Sequence, residues 1–186
     1  MKRYQRRRLT KLSLEILKGL ALGGLAVSAF ALPNIGVIMK MFMPRKENKV
    51  DRQKIRRAIE NLKKNDLVQV KPSESYIESE IRLSRAGKEL LEVESLVLPK
   101  PKKWDEKWRI VMFDIPEPFG LARRALSLKL RELGCYHYQN SVFVYPFDCR
   151  KEVEFIKKYF GFNSGIKYVE ANTLEDQEKL EDFFKL

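Results

Sequence analysis

Two cysteines and one histidine are all the thiol and imidazole chemistry in this chain. Cys135 and Cys149 cannot build the disulfide framework of a small secreted domain, so a reduced, cytoplasmic setting is expected. A structural zinc cluster needs about four Cys or His ligands, more than the chain can supply. A Ser-His-Asp or Cys-His centre would rest entirely on His137, which lies in a strand-like run. The plainer reading is that His137 is an exposed or hydrogen-bonded strand residue. Cys135, two positions away, would share its sheet face, but two ligands make no metal site. An uninterrupted apolar span is also missing. Residues 19–39 carry no charge and follow a basic stretch, which suits a membrane helix in length. Gly19, Gly23, Gly24, Gly36 and the central Pro33-Asn34 divide that run, and two buried core helices fit it better. A signal peptide would be cut unusually deep, at Ala29-Phe30-Ala31. No membrane partner is expected, and a membrane-anchored protein is the third-ranked reading.

What the chain has is a core and a lopsided charge. Of 186 residues 44% are hydrophobic, enough to pack and too many for disorder. The net charge is +12. Residues 1–71 hold 18 Lys+Arg against 5 Asp+Glu, whereas residues 72–186 hold 19 against 20. The two regions therefore suit different partners, and the basic one suits a polyanion.

Asp51 is placed to cap a helix over about 52–64, where Ile55, Ala58, Ile59 and Leu62 form one apolar stripe. The opposite face holds Arg52, Gln53, Lys54, Arg56, Arg57, Lys63 and Lys64. Leu67–Lys71, a turn at Pro72-Ser73-Glu74-Ser75 and Tyr76–Leu83 then read as a β-hairpin, and Ser84 caps a short helix through Leu90 and Leu91. Helix, hairpin, helix with a basic outer face is the order of a winged helix-turn-helix over residues 1–98. Its two earlier helices would come from Leu9–Leu22 and Asn34–Met43. The plainer reading of Arg52–Lys64 is a solvated charged face. Arg6, Arg7 and Arg8 would form an arm along phosphates or into the minor groove, or a tail with no role.

Lys100-Pro101-Lys102-Lys103 is a linker, and a second domain is expected over 104–186. Trp108–Phe113 is an apolar strand ending at Asp114-Ile115-Pro116. A helix over about 118–133 follows, with Leu121, Ala125, Leu128, Leu126 and Leu133 as its buried side, stopped by Gly134. Strands at about 135–138 and 141–146, a helix capped by Asp148 and carrying Val153, Phe155, Ile156 and Tyr159, and a strand at 166–169 complete a ferredoxin-like βαββαβ order. A last helix from about 174, with Leu180, Phe183 and Phe184 on one side, would cover a sheet edge or a partner. The fold class expected is α+β.

Asp114-Ile115-Pro116 after a first strand, an Arg- and Leu-rich helix ending in Gly134, Gln139 and Ser141-Val142-Phe143 together resemble the small ferredoxin-fold subunit of the CRISPR adaptation machinery. That family contains metal-dependent nucleases and integrase scaffolds, and the resemblance covers about residues 107–171. The same module is the central domain of the PaaX-type repressors, where a winged helix precedes it, so the combined order is similar to that family over most of the chain. Those repressors are longer, with a further C-terminal region. The resemblance implies that Asp114 meets its copy across a homodimer and that the pair holds Mg²⁺. The alternative is that Asp114 caps the following helix. Arg123, Arg124 and Arg131 either contact nucleic acid or solvate their helix.

The expectation is a cytoplasmic, homodimeric, DNA-binding transcriptional regulator. Gln53, Arg56 and Arg57 would read base edges, while Arg52, Lys63, Lys64 and Arg6–Arg8 would contact phosphates, with no cofactor required. The alternative is a Mg²⁺-dependent endonuclease or adaptation-type scaffold acting through paired Asp114.

Overall fold

The computed structural model describes residues 9–23, 26–27, 52–72 and 79–186, which form helices and two antiparallel sheets in an α+β arrangement. The chain divides into two compact units, the first ending at Glu94 and the second running Ser95–Leu186.

In the first unit, Thr10 starts helix α1 (Lys11–Gly23) by accepting the Ser13 N–H at its Oγ1, 3.1 Å away. Leu17 and Leu20 are its buried apolar side chains, with Ser13 buried beside them. A short strand β1 (Ala26–Val27) follows, then α2 (Arg52–Lys64), β2 (Val68–Pro72), β3 (Ser79–Leu83) and α3 (Arg85–Glu94). The sheet order is β1-β3-β2, with Val68 opposite Leu83 and Ala26 opposite Glu80. The expectation of core helices across 19–39 is corrected at Ala26–Val27, which are extended. Glycine is a poor helix former, and the open side of β3 offers Val27 a ladder instead. Asn34–Met43, the Asp51 cap and Ser73–Glu78 lie outside the described residues. Ser84 caps α3 as expected: its Oγ accepts the Gly87 N–H at 2.9 Å and donates to the Asp66 carbonyl at 2.5 Å. Among the described residues no helix is long and apolar enough to cross a membrane.

The second unit comprises β4 (Trp108–Phe113), a 3₁₀ turn (Glu117–Phe119), α4 (Gly120–Glu132), β5 (Tyr136–Gln139), β6 (Val142–Tyr145), α5 (Arg150–Phe160), β7 (Ile166–Ala171) and α6 (Gln177–Phe184). The strands pair antiparallel in the order β5-β6-β4-β7. Alternation along β4 sorts its side chains onto two faces. Trp108 and Ile110 join Val144 and Leu180 in one buried cluster, so α6 lies on this face. Val111, Phe113 and Phe143 are buried on the other, which is left for the apolar stripes of α4 and α5.

Three details depart from the sequence reading. The buried side of α4 is Ala122, Leu126 and Leu130, while Leu121 and Leu128 are about half exposed. Spacing by four holds 122, 126 and 130 on one line, and that line won over its equally apolar neighbour. The residue at the start of α5 is Cys149, not Asp148; the Asp148 carboxylate accepts the Arg150 N–H at 3.0 Å and the Tyr168 hydroxyl at 3.0 Å. These donors hold its carboxyl below the usual aspartate range. Finally, α6 covers a sheet face rather than an edge. Leu180 is fully buried and Phe184 packs 6.3 Å from Trp108, but Phe183 remains half exposed against Tyr136.

Candidate nucleic-acid interface

The basic helix α2 is seated by Ile55, Ala58 and Leu62, all buried. Each fully buried Ile or Leu stabilises by about 1.5–3 kcal/mol, so the helix is held by its apolar stripe and needs nothing from its outer face. That outer face presents Gln53, Lys54, Arg56, Arg57, Lys63 and Lys64 to solvent. Arg52 opens the helix. The Arg56 Nε donates to Glu60 Oε1 at 3.2 Å, an exposed pair of the kind that contributes little and yields easily to a stronger acceptor. Arg57, Lys63 and Lys64 have no partner among the described residues. Lys63 and Lys64 sit in the last turn, where the helix dipole favours cations. One helix face thus carries a row of cations with little internal neutralisation, and a neighbouring hairpin runs β2 to β3. Arg6, Arg7 and Arg8 lie outside the described residues.

In the second unit, Asp114 follows β4, its N–H donating to the Gly165 carbonyl at 2.8 Å. A Cβ on Gly165 would come 2.7 Å from the Asp114 carbonyl oxygen, so glycine is what lets the two backbones meet. The Asp114 side chain is exposed and has no partner among the described residues. It caps nothing: a 3₁₀ turn intervenes before α4, with Pro116 at its start and no side-chain cap bond. The helix-cap reading of Asp114 is therefore corrected. The donor set also fails a fit to Mg²⁺ within one chain, because the described residues contain no group of three or more His, Cys, Asp or Glu able to hold a metal ion. A shared site would need a second chain's carboxylate.

His137 is exposed on β5, and its Nδ1 lies 3.0 Å from Arg131 Nη2. Cys135 precedes the strand and is buried, so the two do not form a pair on one open face. Sequence reading named Arg131 and His137 separately and missed their meeting. The signal available was Gly134, whose φ of +88° turns the chain sharply and brings β5 back beside the end of α4.

An antiparallel four-stranded sheet with βαββαβ connectivity and the order β5-β6-β4-β7 defines a ferredoxin-type domain. The family model of the PaaX protein central Cas2-like domain matches residues 101–182, so this unit is similar to that domain. No curated protein matches the chain.

Proposed function

We propose that the protein is a PaaX-type DNA-binding transcriptional regulator, acting in the cytoplasm as a homodimer paired through its ferredoxin-like unit. The observation that carries this reading is the row of solvent-facing, largely unpaired cations on α2, in the same chain as a PaaX-type domain. The first unit is read as a winged helix-turn-helix: β1 adds to the β2–β3 hairpin, and α1, α2 and α3 supply helices around it. In that arrangement α2 enters the major groove and the hairpin lies along the backbone. Arg57, Arg56 and Gln53 reach base edges, while Arg52, Lys63, Lys64 and the Arg6–Arg8 arm neutralise phosphates. Binding requires no metal.

The Asp114 carboxylate, exposed and without a partner among the described residues, favours one second reading, a Mg²⁺-dependent endonuclease or adaptation-type scaffold with two Asp114 carboxylates brought together by dimerisation. Selection of duplexes from a random pool by the purified full chain distinguishes the two. The regulator reading predicts one enriched motif with two-fold symmetry and intact recovered DNA. A pool that returns unenriched, or returns cut only when Mg²⁺ is present, contradicts it.

A further inference from the structure

We propose that the Cas2-like unit carries a separate anion pocket, between α4 and the β5–β6 turn, that takes a phosphate or diphosphate group. The depression has a volume of about 560 Å³ and is lined by Arg123, Arg124, Arg131, His137, Asn140 and Ser141 among others, with no Asp or Glu. Three arginines therefore line it with no carboxylate in the lining. Arg123 Nη2 donates to the Ile115 carbonyl, which holds the guanidinium in place. Its Nε is buried and finds no acceptor among the described residues. Arg124 is exposed and also has no partner among the described residues.

The hairpin side completes the site. Ser141 adopts φ +62°, the left-handed conformation that closes the tight turn beside Asn140. His137 accepts from Arg131 at Nδ1, so its ring is neutral there and keeps Nε2–H as a donor. Burial, and then the Arg131 charge, hold the His137 imidazole below the usual histidine range. Cations are repelled by such a lining. Several forked guanidinium groups suit an anion with many oxygens, which is the chemistry of phosphate. This pocket goes beyond the DNA contact assigned to α2, and its test does not depend on that contact.

Titration of the full chain with inorganic pyrophosphate, followed by calorimetry and by the NMR signal of the single histidine, tests it. The expected result is saturable binding of one pyrophosphate per chain that raises the His137 pKa. In Arg124→Gln/Arg131→Gln the affinity falls tenfold or more and the histidine no longer responds, while Lys158→Gln on α5 behaves as wild type. Random duplex DNA that displaces pyrophosphate from the histidine site identifies a polynucleotide backbone as the source of phosphate; failure to displace identifies a small phosphorylated compound. Either outcome keeps the site. If the double variant does not fold, Arg124→Gln alone decides, since its side chain has no partner among the described residues and its loss should still weaken binding severalfold. A histidine signal that ignores pyrophosphate, or a folded variant that binds as tightly as wild type, overturns the proposal.

Discussion

Arg109 is a buried cation in the middle of a sheet, and its partners explain why it is tolerated. Both Asp105 carboxylate oxygens accept from it at 2.5 Å, and the Lys107 and Pro146 carbonyls accept at 2.8 Å. The Arg109 guanidinium in turn holds the Asp105 carboxyl below the usual aspartate range. A carboxyl whose folded pKa is depressed contributes stability above its unfolded pKa, about 3.9, and that stability is lost as pH falls through the folded value. Asp105 is partly exposed, so solvent screening reduces the effect. Arg109→Met should lower unfolding stability by about 1–3 kcal/mol near neutral pH, mostly by stranding the carbonyls and Asp105, and should flatten the loss below pH 4. Urea unfolding at pH 7 and pH 3 measures both; an unchanged acid slope would contradict the assignment. None of this was legible in the sequence, where Arg109 is one cation in an apolar strand. Its partners lie in a loop before the strand and at Pro146, 37 residues on.

At the scale of elements, Gly87 shows the same division between pattern and packing. Helix α3 was readable from Ser84 and the Leu90-Leu91 spacing, but a glycine in its first turns looks like a weakness. A Cβ there would meet the Leu67 carbonyl oxygen at 2.1 Å, and that carbonyl already accepts the Ser84 N–H at 3.0 Å. Gly87→Ala should therefore destabilise the first unit by about 1–3 kcal/mol or more despite alanine's better helix propensity. A thermal melt that rises in the variant would show that α3 does not press on Leu67. The strands and helices of the second unit were legible because alternation and spacing by four are written locally. The phase of α4 was not, since Leu121 and Leu128 are as apolar as Leu126 and Leu130. Only the sheet beneath decides which line is buried. Strand β1 escaped for a related reason: two residues carry no period, and their partner in β3 is more than fifty residues away.

For the whole molecule, charge asymmetry was the most informative feature of the sequence. The near-neutral second unit leaves β5 and β7 as sheet edges and exposes Val169, Phe183 and Leu186. Those features suit self-association, as the proposed homodimer requires. Sedimentation of the full chain at micromolar concentration should give one species at twice the 21.9 kDa chain mass. A species at the chain mass alone would remove both the dimer and any shared Asp114 site. The likeness of the second unit to the PaaX central domain was legible from Asp114, Gly134, Gln139 and Ser141–Phe143. The role of Asp114 was not, because an aspartate before a helix in sequence need not cap it in space.

The central claim is that α2 recognises DNA and that Asp114 has no part in that binding. Fluorescence anisotropy of one selected duplex across a salt series, with and without Mg²⁺, tests it most directly. Arg56→Ala/Arg57→Ala should lose about 1–3 kcal/mol for each bidentate base contact removed, or lower the log–log salt slope by about 0.9 for each phosphate contact. Asp114→Asn, which keeps the side chain's size and removes its charge, should bind as wild type does with the DNA left whole. Unchanged binding by the arginine variant, together with Mg²⁺-dependent cutting by wild type that Asp114→Asn abolishes, would contradict the account.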